Sequence, residues 1–432
     1  MPLRFRYGAY LSKEQVAELV NPHPDTLDLV RAWLLHHGIR PFSISTTHGG
    51  SWLTVTDVLV SQANQLLGAS YQLYRNSKTN VTITRTVGYA LPAILHTSIR
   101  TVAPTTHFPS KQGKLQTRRS LRTAPGQAPS GEVVTARQDR QPDPDITPSF
   151  LHWLYKTYVY TPSAPPGLNK LGILGIDGDY PRTLDLTVFM AKYQSESMDA
   201  RFTVVPWNGG GYDARYPGDV ASIGVQYAAA MGYPTQVVFY SIGGDTEWDN
   251  KGQPTAGDMY LKWLHNLLKQ KSPPLTISIS YGEYERDLPV DYARALCTLF
   301  AQLGVRGVTV LAASGQEGVG AGNCVNADGL VQFIPEFPST CTCGADEHRY
   351  KFLTRSPWIS GPYVTSVGGT RNFRPEMAAN LSGGGFSWYF ETPDYQLGAV
   401  IDYLFLYPEF YDGLYKCARC CDLTHSSSYF GI

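Results

Sequence analysis

Along the first hundred residues the apolar positions change period several times. Ser12 followed by Gln15 forms a capping box, which predicts a short helix ending before Asn21-Pro22. A second helix is predicted from near Asp25: Leu27, Val30, Trp33 and Leu34 fall at helical spacing, and His37-Gly38 stops it. Strand-like Trp52 to Thr56, a Ser61-capped helix through Leu67-Gly68, and β-rich Tyr71 to Arg75 and Val81 to Val87 follow. This order suggests a ferredoxin-like α+β sandwich lacking its first strand.

Between Pro104 and Pro148 the periodicity vanishes and the composition turns to Pro, Gly, Ser, Gln and Arg. Seven basic residues between Lys111 and Arg140 face only Glu132 and Asp139, as expected of an exposed basic tether. Arg118-Arg119 is a dibasic pair that a processing protease could cut. Thr147-Pro148 reads as an N-cap with proline at the first helical position.

Beyond it, continuous apolar runs predict strands at Leu171 to Ile176, Phe202 to Val205, Gln236 to Tyr240, Leu275 to Ser280 and Gly307 to Ala313. Helical patterns lie between them near Thr183 to Gln194, Pro217 to Met231, Met259 to Lys269 and Leu288 to Leu303. The alternation predicts an α/β, doubly wound parallel sheet.

Composition narrows the function classes. The 432 residues carry 36 basic and 36 acidic side chains, so no overall charge favours nucleic acid or a membrane surface. At 43% hydrophobic and 17% charged the chain is no disordered tail, and no apolar run is long enough to span a bilayer. The N-terminus shows no signal peptide. Two sequons, Asn80-Val-Thr and Asn380-Leu-Ser, and 7 cysteines, all at or after Cys297, lean toward an oxidising compartment. A Cys324 to Cys341 bridge closing the loop before Pro362-Tyr363 is the favoured reading, although sequence does not fix the pairing. A thiolate zinc set from Cys341, Cys343, Cys417, Cys420 and Cys421 is the weaker alternative, so no metal site is expected.

In such a sheet, chemistry belongs at the carboxyl ends of the strands. Four segments lie at or near those ends: Asn208 to Gly211, Ser280 to Glu283, Ser314 to Gly320 and Ser382 to Ser387. Taken singly, each glycine cluster reads as a tight turn rather than a phosphate cradle. Taken in order, with Gly307 to Leu311, Phe337-Pro338 and the Pro362 to Thr370 run, they resemble the sedolisin family of serine-carboxyl peptidases, in particular its fungal tripeptidyl-peptidase-like members. Tyr7-Gly8, the Leu11 to Val16 helix and Gly88 to Pro92 resemble that family's activation pro-domain.

The resemblance implies a subtilisin-like α/β domain that cleaves peptides at acidic pH through an acyl-enzyme. A serine attacks, a glutamate takes its proton, an aspartate four residues on orients the glutamate, and a second aspartate stabilises the oxyanion. Carried over residue by residue, that pattern fails here. Val220 stands at the glutamate position, Gly224 at its partner and Gln316 at the oxyanion aspartate. The nucleophile element lies downstream of Ile432 in the family, and Ser426 to Ser428 lack its context. The family's calcium site is expected to be absent for the same reason, and no cofactor is expected. His36, His37 and His48 read as surface or pro-domain residues.

The implied organisation is an activation pro-domain at 1–103, a flexible basic linker at 104–148 and a C-terminally truncated peptidase domain at 149–432. An insertion at 342–361 and a divergent tail at 416–432 read as translated intron, or as a surface insertion and a diverged end. Three functions compete: a non-catalytic pseudopeptidase that binds peptides or its own pro-domain, an active secreted or vacuolar peptidase in a full-length form, and a binding module that reuses the fold.

Overall fold

The computed structural model describes residues 8–47, 49–75, 82–108, 145–160, 169–176, 179–215, 217–243, 245–248, 254–255, 259–320, 332–341, 363–390 and 392–406. Residues 109–144 of the expected linker, the 342–361 insertion, the tail from 416, the Ser426 to Ser428 run, the Arg118-Arg119 pair, His48, Asn80, Cys324 and the cysteines after Cys341 lie outside these residues.

The N-terminal unit keeps the predicted order of helices and strands with one strand more, at Ile44–Thr46, and its strands pair two by two in separate sheets. Helix α1 (Lys13–Val20) starts at the expected capping box: Ser12 Oγ accepts from the Gln15 N–H, and Gln15 Oε1 accepts from the Ser12 N–H. Helix α2 (Pro24–His36) buries Val30 and Leu34 against Ile39 and Leu95. Strands β1 (Ile44–Thr46) and β2 (Leu53–Val55) pair antiparallel. Helix α3 (Val60–Leu67) starts one residue before Ser61; the Gln62 side chain, not the serine, closes its first turn by accepting from the Leu59 N–H at 3.2 Å. Gly68 ends it in the left-handed conformation, at φ 52°. Strands β3 (Gln72–Arg75) and β4 (Thr82–Arg85) form a second antiparallel pair. Residues 104–108, read from composition as the start of the linker, pack into this unit: the Thr86 N–H donates to Thr105 O, and Thr105 and His107 are buried.

Helix α4 (Pro148–Leu154) begins at Thr147, whose Oγ1 accepts from the Phe150 N–H at 3.1 Å. Next in the chain come β5 (Lys170–Ile176), α5 (Thr183–Tyr193), β6 (Phe202–Trp207), α6 (Asp219–Gly232) and β7 (Gln236–Ile242). A small pair, β8 (Asp245–Trp248) and β9 (Pro254–Thr255), precedes α7 (Met259–Lys269), β10 (Thr276–Ile279), β11 (Glu283–Tyr284), α8 (Val290–Val305) and β12 (Thr309–Ala313). Strands β13 (Glu336–Phe337), β14 (Thr365–Val367), β15 (Thr370–Arg371) and β16 (Met377–Ala378) and helix α9 (Asp394–Leu406) complete the described elements.

Six strands form one parallel sheet in the order β14-β12-β10-β5-β7-β6. Alternate residues of its central strands feed two cores. Ile173, Val237 and Phe239 meet Leu186 and Met190 of α5 and Ala221, Val225 and Ala229 of α6. Leu174, Val238, Tyr240, Ile277 and Val310 meet Trp263, Leu264 and Leu267 of α7 and Leu296, Phe300 and Leu303 of α8. Helices thus cover both faces, the doubly wound arrangement the continuous apolar runs required.

The sheet also fixes where a cleft belongs. The chain leaves β5 toward the face of α5 and leaves β10 toward the face of α8, so these adjacent strands diverge at their carboxyl ends, the topological switch point.

The expected Cys324 to Cys341 bridge is replaced by a disulfide between Cys297 and Cys341. Cys297 sits on the buried face of α8 and Cys341 in the turn after β13, with Cα atoms 5.4 Å apart, so helix packing rather than chain proximity selects the pair.

Candidate active site

At the switch point, Asp179 follows β5 and Tyr281 follows β10. The Tyr281 hydroxyl donates to Asp179 Oδ2 at 2.7 Å, and both residues are buried. Burial, with the Asp179 charge beside it, pushes the Tyr281 phenol far above its ordinary range, so it remains a donor. The other Asp179 oxygen faces the start of α6, accepting from the Ala221 N–H at 3.4 Å. Gly218, the N-cap of α6, is required there: a Cβ on it would lie 1.4 Å from Asp179 Oδ1.

Val220 and Gly224 lie on α6, one turn apart. Val220 is half-buried and packs against the main core cluster. Gly224 faces β5, where a Cβ would stand 3.2 Å from Ile173 Cγ2. Gln316 is half-buried in the loop after β12. The start of α6 and the end of β12 both lie at the carboxyl edge of the sheet, so the topology brings Val220 and Gln316 to one end of the domain.

The Gln316 loop is built by backbone contacts that admit no side chain at two glycines. Gly383 donates its N–H to Gly315 O at 2.8 Å, Ser314 Oγ donates to Gly383 O at 2.8 Å, and a Cβ on Gly383 would lie 1.9 Å from Ser314 O. Gly315, at φ 112°, abuts Glu336 of β13; a Cβ there would stand 2.6 Å from the carboxyl carbon. A carboxylate therefore does adjoin this loop, but it arrives from β13 rather than from position 316. The Asn208 to Gly211 segment is the expected tight turn: Gly210 donates to Trp207 O at 2.7 Å, and a Cβ on it would strike Ser241 O.

Two further buried carboxylates lie just after Tyr281. Glu283 receives His107 Nε2 at 2.8 Å, both side chains being under a tenth exposed. Glu285 is fully buried and gathers the Ser387 hydroxyl and the Trp388 N–H, at 2.7 Å for the latter. Burial raises the Glu285 carboxyl above its ordinary range, with these donors pulling the other way. Tyr284 donates its hydroxyl to Glu317. The sequence motifs include the tyrosine, Glu283 and the 314–320 loop, but not the pairs they form, because Asp179–Tyr281 and His107–Glu283 join positions 102 and 176 residues apart.

Of the expected surface histidines, His37 lies at the end of α2, its Nδ1 2.9 Å from Trp33 O, and His36 is the last residue of that helix. Cys341 is held in the disulfide, which removes it from the alternative zinc set. Among the described residues, no group of three or more His, Cys, Asp or Glu side chains is placed to hold a metal. No helix among them is long and apolar enough to cross a membrane.

Comparison with known proteins adds sequence relatives. The activation domain of pro-kumamolisin matches residues 2–108. Tripeptidyl-peptidase SED2 of Arthroderma otae is 30% identical over an alignment 432 positions long that covers 96% of this chain and 67% of the relative. Tripeptidyl-peptidase SED4 of the same organism is 31% identical across 93% of this chain and 63% of its own. A Pseudomonas sedolisin, a serine-carboxyl proteinase solved with pseudo-iodotyrostatin, superposes with a TM-score of 0.37 at 19% identity, covering 59% of this chain and 66% of that one.

Proposed function

We propose that this chain, which belongs to the sedolisin family of peptidases and carries an activation domain at residues 2–108, is a peptide-binding homologue that does not hydrolyse peptides by the serine-carboxyl mechanism. The observation that supports it is the face of α6. A serine hydroxyl is a weak nucleophile until a base takes its proton, and the two positions that would supply the base and its orienter carry an isopropyl group packed on the core and no side chain at all. The nearest buried carboxylate, Asp179, is already committed to Tyr281 and to the α6 backbone. Gln316 keeps one amide donor for an oxyanion but no charge.

What remains is the carboxyl edge of a parallel sheet, where peptides are the ligands suggested by relatives named tripeptidyl-peptidases. The Cys297–Cys341 disulfide supports a secreted or vacuolar setting, where thiols oxidise.

The test is the purified chain assayed at about pH 3 to 5 on tripeptide-releasing and endopeptidase substrates, beside a Val220→Glu, Gly224→Asp variant. Saturable binding of the substrate peptides without turnover is expected from the parent. Turnover by the parent that resists inhibitors of the other peptidase classes overturns the proposal.

A further inference from the structure

An open pocket of about 260 Å³ lies at the amino edge of the sheet, at the opposite end of β5 and β7 from Asp179 and the switch point. Even-numbered residues of β5, β6 and β7 point to the face of α7. Toward the carboxyl ends, Ile176 and Ile242 line one small cavity with Tyr260 and Trp263 of that helix. Toward the amino ends the wall is instead the return from α7 to β10, with Gln270, Ser272 and Pro274. The room comes from Gly172: a Cβ on it would stand 3.2 Å from Tyr240 Cε2 and from Pro274 Cγ, so a side chain there would fill the floor. The wall is held in place from behind. Arg306, after α8, donates to the carbonyls of Leu268, Gln270 and Lys271 at 2.9, 2.7 and 3.2 Å, and the Tyr240 hydroxyl donates to Gln270 Oε1 at 3.3 Å. The Gln270 amide N–H groups are thereby left as donors.

We propose that this pocket binds a small monocarboxylate with an apolar body. Its floor is apolar, with Val238 and Tyr240 buried and Pro274 beside them. Its mouth is made of donors. Lys170 and Gln236 stand opposite each other across the β5–β7 ladder, Thr203 follows on β6, and no acid is among the residues that line the pocket. Lys170 is half-buried and makes no ion pair or hydrogen bond among the described residues, so its ammonium group is available to a ligand. A single cation beside two carboxamides matches one carboxylate better than a phosphate dianion, which calls for a second cation or a row of backbone N–H groups. The carboxylate would accept from Lys170 Nζ and from the Gln236 and Gln270 amides, while the body covers Val238 and Tyr240 and takes apolar surface of both partners out of water. The volume, just under the roughly 300 Å³ at which small-molecule pockets begin, sets the size of the ligand. This site does not rest on the peptide-binding reading, since its residues open the strands whose far ends carry that one.

The probe is 3-phenylpropionate, titrated into the full chain at neutral pH and followed by isothermal calorimetry and saturation-transfer NMR. Saturable binding at one site is expected, with a dissociation constant of about 0.1–1 mM. Absence of saturable binding overturns the proposal, and so does equal binding of the neutral amide, 3-phenylpropanamide. Lys170→Gln should weaken the probe by about tenfold or more, and Gln236→Glu, which sets a like charge at the mouth, by a similar factor. Should Lys170→Gln fail to fold, Gln236→Glu, at an exposed position, decides alone. Unchanged affinity in the variants that fold puts the probe elsewhere and overturns the assignment. Acetyl-leucyl-phenylalanine separates the two sources of such a carboxylate, counting only the binding that Lys170→Gln removes. If it binds more tightly than 3-phenylpropionate the site takes a peptide C-terminus, and if more weakly a free acid; either result supports a carboxylate site.

Discussion

Gly218 and Tyr281 are two ends of one constraint on Asp179. Because a methyl group at 218 would overlap the carboxylate, Gly218→Ala must push Asp179 off the Tyr281 hydroxyl or displace the start of α6. A loss of about 2–4 kcal/mol is expected, and Tyr281→Phe, which removes only one donor from a buried acid, should cost about 1.5–3 kcal/mol. Chemical denaturation of the two variants checks the order. Glu285 makes a prediction of different sign. Its raised carboxyl pKa means that its stabilisation is complete below the ordinary carboxyl value near 4.5 and is lost as the pH climbs through the raised value. Glu285→Gln removes this titration, so the melting temperature of the variant relative to the parent should rise between about pH 4 and pH 7. Parallel curves would show that Glu285 titrates like a solvated acid.

At the scale of elements, α6 and α8 show why local pattern reading succeeds for helices and fails for what they hold. The apolar spacing placed α7 at its observed bounds, and the runs over β5, β6 and β7 gave their cores, because burial on both faces writes itself into consecutive residues. Strand β14 carries no such signal: its three residues are exposed at the sheet edge, and it was not expected. Helix α3 starts ahead of Ser61 because a glutamine side chain, not the serine, closes its first turn. The disulfide was misassigned because Cys297 looks like any other apolar position of α8; only the packing of that helix under β13 reveals its partner. Removing this link through Cys297→Ser with Cys341→Ser should lower stability by about 2–4 kcal/mol, for a separation of 44 residues. On α6, Val220→Glu should cost about 1–3 kcal/mol, since the new carboxylate replaces an apolar contact with the core. A neutral or stabilising result in urea titration would show the site is still shaped for an acid.

At the scale of the whole molecule a pH dependence centres on His265, where the two units meet. The ring lies on α7, under Trp52 of the N-terminal unit, where burial, with Lys269 adding its charge, holds its pKa down at about 4. The unfolded chain takes up this proton near pH 6.5, whereas the folded chain takes it up only near the lower value. The folded state therefore has its full margin above pH 6.5 and loses it progressively as the pH falls toward about 4, by roughly 3 kcal/mol at most. This slope runs opposite to that of Glu285, so an acid-induced loss of stability cannot come from that carboxyl. His265→Phe keeps a ring against Trp52 and removes the proton. Its melting temperature should fall less than that of the parent between pH 7 and pH 4, by several degrees at about 2–4 °C per kcal/mol. Cutting the connecting segment first separates the two contributions to that slope: if the difference between parent and variant appears as pieces parting in acid, His265 acts at the seat of Trp52, and if the pieces stay together while the melting temperature falls, it acts within the core beneath α7.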